Sequence, residues 1–149
     1  ANKSLNSAAL SKQQIIASFL AQEAMEYVRN ARDENVLDKG ADKWLEGSSG
    51  TDIKTQCLGG KCQIVAYEKK MKKCPGVVCD PLKYSDSTGL FYIEGSSDYS
   101  IYTQTGEIVK VREVSGDTTE IAVLVTVSWK GTNGVDYKVI ARENLTNWQ

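Results

Sequence analysis

The fold is decided by residues 4–35, which read Ser4-Leu-Asn-Ser-Ala-Ala-Leu-Ser-Lys-Gln-Gln-Ile-Ile-Ala-Ser-Phe-Leu-Ala-Gln-Glu-Ala-Met-Glu-Tyr-Val-Arg-Asn-Ala-Arg-Asp-Glu-Asn35. This stretch contains neither proline nor glycine, and its apolar residues recur at the spacing of one helix face. We predict one amphipathic helix over about residues 1–35. Its apolar stripe consists of Leu5, Ala9, Ile16, Leu20, Ala24, Tyr27 and Ala31, and Phe19 widens it.

This helix is longer than a small domain needs, because about 30 residues span roughly 45 Å. The first turns contain few large apolar side chains, too few for firm burial against one domain. We therefore expect the first turns of the helix to project from the domain.

Beyond residue 60 the periodicity changes from helical to strand-like. Residues 36–60, with the runs Asn35–Gly40 and Gly47–Asp52, are predicted to form a connecting loop in which Trp44 is a packing anchor. Between residues 61 and 149 we predict strands at 63–67, 90–94, 99–103, 106–114, 120–129 and 136–143. Strict alternation is seen at Ile121, Val123, Val125, Val127 and Trp129.

Asn133-Gly134 predicts a two-residue hairpin turn of type I′, in which both residues have positive φ. No alternation of strands and helices is seen, so parallel βαβ units are not expected. The chain is predicted to be one α+β domain over residues 1–149. Its long N-terminal amphipathic helix packs on an antiparallel sheet.

Four cysteines, Cys57, Cys62, Cys74 and Cys79, lie within 23 positions. Their even number and clustering favour two disulfides, which form outside the reducing cytoplasm. A zinc site is the rival, although both pairs are spaced C-x4-C instead of the usual C-x2-C of zinc knuckles. Pairing 57–62 with 74–79 and pairing 57–79 with 62–74 are both compatible with the sequence.

The composition disfavours catalytic sites, metal sites and nucleic-acid binding. The 149 residues include no histidine, which excludes Ser-His-Asp and Cys-His catalysis and histidine-containing metal sites. The net charge of −1 removes the usual electrostatic basis for binding nucleic acid. No calcium-loop spacing occurs, which leaves open only calcium held by loop carbonyls and isolated carboxylates. We predict a protein that is not an enzyme, with no catalytic, cofactor or metal residues.

The segment Phe19-Leu-Ala-Gln-Glu-Ala-Met-Glu-Tyr-Val-Arg-Asn-Ala-Arg-Asp33 resembles the soluble half of the long helix in bacterial prepilin-like proteins of the PilV minor-pilin type. In that family, Leu-Ala-Gln-Glu is followed by a run of the form apolar-Glu-apolar-apolar-Arg-Asn-x-Arg-Asp. Weaker likeness is found at Cys79–Tyr84, Thr88–Tyr92, Val125–Trp129 and Glu143–Trp148.

The resemblance implies a structural subunit of a type IV pilus, minor or major, that acts by filament assembly and contributes to adhesion or motility. Its partners would be other pilin subunits, a host or surface ligand, and the inner membrane. The apolar stripe of the helix would be its assembly face, with the part from Leu5 to about Leu20 facing other subunits and the part from Ala24 to Ala31 docked on the sheet. Membrane anchorage would precede export to the cell surface and would use an apolar half-helix that this sequence lacks, so we expect an N-terminally truncated chain.

Two alternatives remain: a type II secretion pseudopilin, and a secreted binding or adhesion module. In the second, Tyr92, Tyr99 and Tyr102 would grip a glycan or a host protein. No nucleic-acid partner is expected.

Overall fold

The computed structural model describes the backbone of residues 2–48 and 50–147, and side chains from Ser7 onward within those ranges. The chain begins with helix α1 (Asn2–Lys39), followed by a 3-10 turn (Ala41–Lys43) and the short helix α2 (Ile53–Gln56). The strands are β1 (Lys61–Val65), β2 (Lys70–Lys73), β3 (Lys83–Ser85), β4 (Leu90–Tyr92), β5 (Thr103–Val114), β6 (Asp117–Lys130) and β7 (Asp136–Thr146).

The long helix and the antiparallel sheet confirm the predicted α+β class. Five strands form one sheet in the order β2-β1-β5-β6-β7, and β3 pairs with β4 in a separate hairpin. All neighbouring strands in both sheets are antiparallel. Helix α1 packs on one face of the larger sheet, mainly against β6 and β7.

Helix α1 extends to Lys39, beyond the predicted end near residue 35. Gly40 ends it with φ at 94°, and its amide donates to the carbonyl of Val36 at 2.9 Å. A positive φ is readily adopted only by glycine, and the chain leaves the helix at this residue. The predicted loop over 36–60 therefore begins with helical residues, and it also contains α2, which Asp52 caps by accepting from the Thr55 amide at 3.3 Å.

The core lies between the helix and the alternating positions of the sheet. Small residues on α1, among them Ala17, Ala21 and Ala24, are fully buried and let the helix approach the sheet closely. The facing side chains are the strand residues predicted from their alternation, all of them buried: Ile121, Val123, Val125, Val127 and Trp129.

Polar contacts fasten the C-terminal half of α1 around this core. Arg29 forms ion pairs with Glu26 and with Glu143 on β7. Arg32 donates through Nη1 to the Thr146 carbonyl at 3.1 Å. The buried side-chain amide of Asn35 donates through Nδ2 to the carbonyls of Trp44 and Thr51. Both of its N–H groups therefore have an acceptor, as buried donors require.

Two strands were missed by the sequence interpretation, and one predicted strand is wrong. Strand β2 reads Lys70-Met-Lys-Lys73, and only Met71 is buried, so its charged side chains concealed the alternation. Strand β3 has only three residues. The strand predicted at 99–103 does not form, because Thr103 begins β5 and Tyr99 makes only an isolated bridge to Lys83.

The type I′ turn predicted at Asn133-Gly134 is also wrong. Five residues connect β6 to β7, and within them Gly131 accepts from the Gly134 amide at 2.9 Å. Only Gly134 of the predicted pair has positive φ. The Asn133 side chain instead accepts from the Val135 amide at 3.1 Å, which holds Asn133 in an ordinary turn conformation.

The type I′ pattern occurs instead between β5 and β6. Ser115 and Gly116 are the two loop residues, with φ of 53° and 85°. Two consecutive positive φ values match the right-handed twist of the flanking strands.

The cysteines are paired locally, Cys57 with Cys62 and Cys74 with Cys79. This pairing confirms the disulfide prediction and rules out both the nested pairing and a four-thiolate zinc site. The first bridge links the end of α2 to β1, and the second closes the turn that follows β2. Trp44 is buried, and its indole nitrogen donates to the Thr118 carbonyl at 2.9 Å, as expected of a packing anchor.

Candidate assembly surface

Helix α1 presents two different apolar faces. The sheet-facing one is buried and runs along most of the helix, through Ala17, Leu20, Ala21, Ala24, Val28 and Ala31. Gln13 lies near the N-terminal end of this buried face. Its backbone carbonyl accepts a hydrogen bond from the Tyr102 hydroxyl, and its side-chain Oε1 accepts one from the Trp129 indole nitrogen, both at 3.2 Å. Leu10 is partly buried against the same core. Docking therefore reaches about three turns further toward the N-terminus than predicted.

The predicted assembly stripe is divided between burial and exposure. Leu20, Ala24 and Ala31 are buried in the chain's own core, so in this conformation they cannot form an assembly surface. Ile16 and Tyr27 are half-buried, and the Tyr27 hydroxyl donates to the Gly50 carbonyl at 2.5 Å. Ala9 is partly exposed, and the side chain of Leu5 lies outside the described residues.

A slow rotation of the stripe explains this correction. From Leu5 to Ala31 the chosen residues recur about every 3.7 positions, whereas a helical turn takes 3.6. Over seven turns the stripe therefore rotates by about 80° around the axis. Residues near its two ends consequently face different surroundings.

The second apolar face of α1 is exposed. Lys12, Ile15, Phe19 and Glu23 follow one another at helical spacing, and Ile15 and Phe19 are 70% and 63% exposed. The sequence interpretation passed over Ile15 and treated Phe19 as a widening of the buried stripe. Their i,i+4 spacing was the available signal.

This face forms one wall of a groove of about 1090 Å³. The opposite wall is the β3–β4 hairpin together with the segment that leads from it to β5. Its floor is the end of β1 and the adjoining core. The groove's aromatic and large apolar side chains outside α1 include Tyr67, Tyr84, Leu90, Phe91, Tyr99 and Ile101.

A run of touching aromatic rings fixes the hairpin wall to the body. Tyr84 lies 4.9 Å from Phe91 between ring centroids, and Phe91 lies 5.8 Å from the buried Tyr102. Tyr102 in turn contacts Trp129, at 5.9 Å. Since such pairs add to the stabilisation from buried area alone, the wall is a packed part of the fold.

Carboxylates predominate among the charged groups of the groove. Glu23, Asp86 and Asp98 line it, against one cation, Lys12. Burial raises the pKa of the Glu23 carboxyl above its ordinary value, because partial desolvation disfavours the charged form. A cation bound next to Glu23 would offset the free-energy cost of keeping this carboxyl charged.

The three tyrosines singled out for a binding module do not form one exposed surface. Tyr102 is buried, and Tyr92 is half-buried with its hydroxyl 3.0 Å from that of Thr88. Tyr99 is 59% exposed and lies under the Lys83 ammonium, 5.5 Å from the ring centroid. Tyr99 shares the groove with Tyr67 and Tyr84 instead.

Residues 68–73 read Glu68-Lys-Lys-Met-Lys-Lys73, and two of these four lysines, Lys70 and Lys72, belong to a local ion cluster. Glu94 pairs with Lys70 at 2.7 Å and with Lys72. Hydrogen bonds from these two ammonium groups lower the pKa of Glu94 to about 2. The Glu68 carboxylate accepts from the Ile93 amide, which ties β2 to the end of β4. These contacts favour a structural role for the run.

Among residues 2–48 and 50–147, no three His, Cys, Asp or Glu side chains are grouped so as to hold a metal ion. Within the same ranges, no helix combines the length and apolarity that a membrane-crossing segment requires.

Comparisons with models of known protein families, with curated proteins and with solved structures found no match to the chain.

Proposed function

We propose that the chain is a subunit of a type IV pilus, minor or major, and acts by assembling into a filament. The observation that carries the proposal is the 38-residue helix α1, which is docked on an antiparallel sheet over most of its length and whose N-terminal half bears the exposed apolar residues Ile15 and Phe19. At 1.5 Å per residue, α1 is about 57 Å long. The resemblance of Phe19–Asp33 to pilin helices supports the same interpretation.

The disulfides are consistent with this setting. Two bridges and no free cysteine within the described ranges indicate an extracellular or secreted protein. A subunit carried on the cell surface would benefit from covalent closure of its loop-rich middle region, since each short bridge restricts the unfolded chain.

Filament assembly also requires a particular kind of contact. Two different surfaces of each subunit must meet repeatedly by an operation that does not close into a ring. The groove bordered by the exposed face of α1 provides one such surface. Anchorage in the inner membrane before assembly, through an apolar half-helix preceding this sequence, belongs to the same proposal.

The coding sequence upstream of Ala1 gives the first test. We expect a short basic leader that ends in glycine, followed by about 20 apolar residues with one early glutamate, enough for a membrane-spanning helix. An ordinary cleaved secretion signal at that position would overturn the proposal.

Location in the cell gives the second test. Immunogold labelling with antibodies against this chain should decorate surface filaments, and deletion of the gene should remove or shorten them. Intact secretion in the deletion strain separates a pilus subunit from a secretion pseudopilin. Recovery of the chain only as a free secreted protein, with filaments unchanged, would contradict the assembly role.

A further inference from the structure

We propose that the groove between α1 and the β3–β4 hairpin binds a peptide segment of another protein, in which apolar side chains alternate with lysine or arginine. Two observations carry this inference. The groove has an open apolar lining, and it has carboxylates on both of its walls. The inference goes beyond the proposed filament function and does not depend on it.

The size of the groove favours a peptide over a small molecule. Small-molecule pockets enclose about 300–1,000 Å³, whereas this groove measures about 1090 Å³ and is open along one side. Its α1 wall runs from Lys12 to Glu23, a length of about 16 Å at 1.5 Å per residue. An extended peptide of about five residues has the same length, because a strand rises by about 3.3 Å per residue.

Large apolar side chains line the groove without being covered by the rest of the described chain. Ile15, Phe19, Tyr67 and Tyr99 are each more than half exposed along it. An apolar surface that is bordered by charges is typical of a protein-binding site. Every second side chain of an extended peptide points to the same side. Alternate apolar residues of such a peptide would therefore all face this surface.

The charged groups of the groove indicate what the other residues of the peptide are. Glu23 lies on the α1 wall, and the exposed Asp86 and Asp98 lie on the opposite wall. Lys12 is the one cation among the described residues of the lining. None of these four side chains forms an ion pair with another described residue. Three carboxylates against one ammonium leave a net charge of −2, which favours a basic partner and disfavours phosphate groups.

Basic side chains at alternate positions of the peptide would reach both walls. Lysine and arginine lay their methylene stems along apolar surface while the charged end extends to the rim. Partial burial raises the pKa of the Glu23 carboxyl, and an ammonium group beside it would offset that cost of desolvation. The exposed rings of Phe19 and Tyr67 offer cation–π contacts as well. Lys83 already makes such a contact with Tyr99, 5.5 Å from the ring centroid.

The test is an NMR titration of the nitrogen-15-labelled 149-residue chain with synthetic peptides. The basic probe is acetylated and amidated Phe-Lys-Leu-Lys-Phe, whose two positive charges equal the net charge of the lining in number. We expect it to shift the amide signals of groove residues and to bind with a Kd on the order of 0.1 mM. Affinity should fall about five-fold when salt is raised from about 20 mM to about 500 mM, which shortens the Debye length from about 20 Å to about 4 Å.

Two control peptides separate charge from apolar contact. The neutral probe Phe-Gln-Leu-Gln-Phe should bind about ten-fold more weakly than the basic probe, since it keeps the apolar contacts and loses the ionic ones. The acidic probe Phe-Glu-Leu-Glu-Phe should not bind measurably, because like charges then face each other across the groove.

Matched variants place the bound peptide in the groove. Asp86→Asn/Asp98→Asn should bind the basic probe about ten-fold more weakly than the parent. Asp42→Asn/Asp117→Asn removes the same charge from two exposed positions outside the groove and should bind like the parent.

A second pair of variants tests the apolar lining. Phe19→Gln should weaken binding of the basic probe by about ten-fold, because it removes an exposed aromatic contact. Leu37→Gln changes a residue that is 88% exposed on the same helix outside the groove and should bind like the parent. Circular dichroism of each variant verifies folding.

Several results would overturn the inference. These are no binding of the basic probe at about 5 mM, equal affinity for the basic and neutral probes, and signal shifts confined to residues outside the groove. Affinity unchanged in folded Asp86→Asn/Asp98→Asn would also overturn it. Groove signals that shift with protein concentration in the absence of peptide would show that a second copy of the chain occupies the groove instead.

Discussion

The C-terminal meander of β5, β6 and β7 and the cysteine-containing region of residues 57–102 are built on different principles. The meander strands have 12, 14 and 11 residues, and their inward positions alternate along most of their length, except in the second half of β5, which is exposed. The four strands of the cysteine-containing region have only five, four, three and three residues. Long alternating strands bury a continuous apolar face, whereas strands this short cannot.

Specific contacts take the place of regular burial in the second region. Two disulfides close its short loops, and Glu94 with two lysines joins its strands. Where main-chain pairing between β1 and β5 ends, the buried Gln104 side chain continues it. Its Oε1 accepts from the Ile64 amide at 2.6 Å and its Nε2 donates to the Ile64 carbonyl at 2.7 Å. Stability in this region should therefore depend on individual polar and covalent contacts.

The largest expected effect is the loss of a core side chain in the meander. Ile121→Ala removes a fully buried residue from β6 and should lower the free energy of unfolding by about 2–5 kcal/mol, through lost burial and a residual cavity. Urea denaturation followed by circular dichroism measures it. Ile140→Ala, on the exposed face of β7, is the matched control and should stay within about 0.5 kcal/mol. Equal effects at the two positions would contradict the assignment of buried and exposed faces.

The same contrast explains which elements could be predicted. Helix α1 and strands β5, β6 and β7 have the 3.6- and 2-residue periods that burial of one face imposes. Strands β2 and β3 do not, because a short edge strand buries almost nothing and leaves no pattern to detect. The disulfide pairing depends on which cysteines the fold brings together, and sequence spacing left both connectivities open.

The candidate site was predictable only in part, for a related reason. Apolar residues on both faces of α1 look alike in sequence, so periodicity cannot say that Leu20 is buried at 4% exposure while its neighbour Phe19 is exposed. The far wall of the groove includes Tyr84 and Tyr99, which pairing and packing bring beside the helix from distant positions. Long-range contacts of this kind leave no local pattern in the sequence.

A smaller effect is expected from the buried amide that joins the two regions. Gln104→Leu leaves the Ile64 amide and carbonyl without their partner. Each unpaired buried polar group costs about 1–3 kcal/mol. The burial of the apolar leucine side chain offsets part of the cost of the two groups together. We expect a loss of about 2–4 kcal/mol in urea denaturation.

A control for this substitution changes the same side-chain chemistry at a more accessible position. Gln56 accepts from the Lys73 amide at 2.8 Å in an exposed hydrogen bond. Gln56→Leu should cost no more than about 0.5 kcal/mol, because water can replace the lost acceptor. If Gln104→Leu were as mild as this control, the amide bridge would not be what continues the pairing of β1 with β5.

The smallest effect concerns the ion cluster at Glu94. Lys70 and Lys72 lower the pKa of this carboxyl in the folded chain from 4.5 to about 2. Because the folded value lies below the unfolded one, the stabilisation is present above pH 4.5 and is lost as the pH falls toward 2. Carbon-13 NMR titration of the side-chain carboxyl should give a midpoint well below 4.5, moving upward as salt screens the lysines.

Glu94→Gln provides the thermodynamic form of the same prediction. The variant should melt slightly below the parent at neutral pH, and the difference should shrink as acid protonates Glu94 in the parent. The effect is expected to be small because the cluster is well exposed to solvent. A carboxyl midpoint near 4.5, or a melting difference that persists unchanged at pH 2, would show that the cluster does not tie β2 to the end of β4. The cysteine-containing region would then depend on its disulfides and the Gln104 bridge.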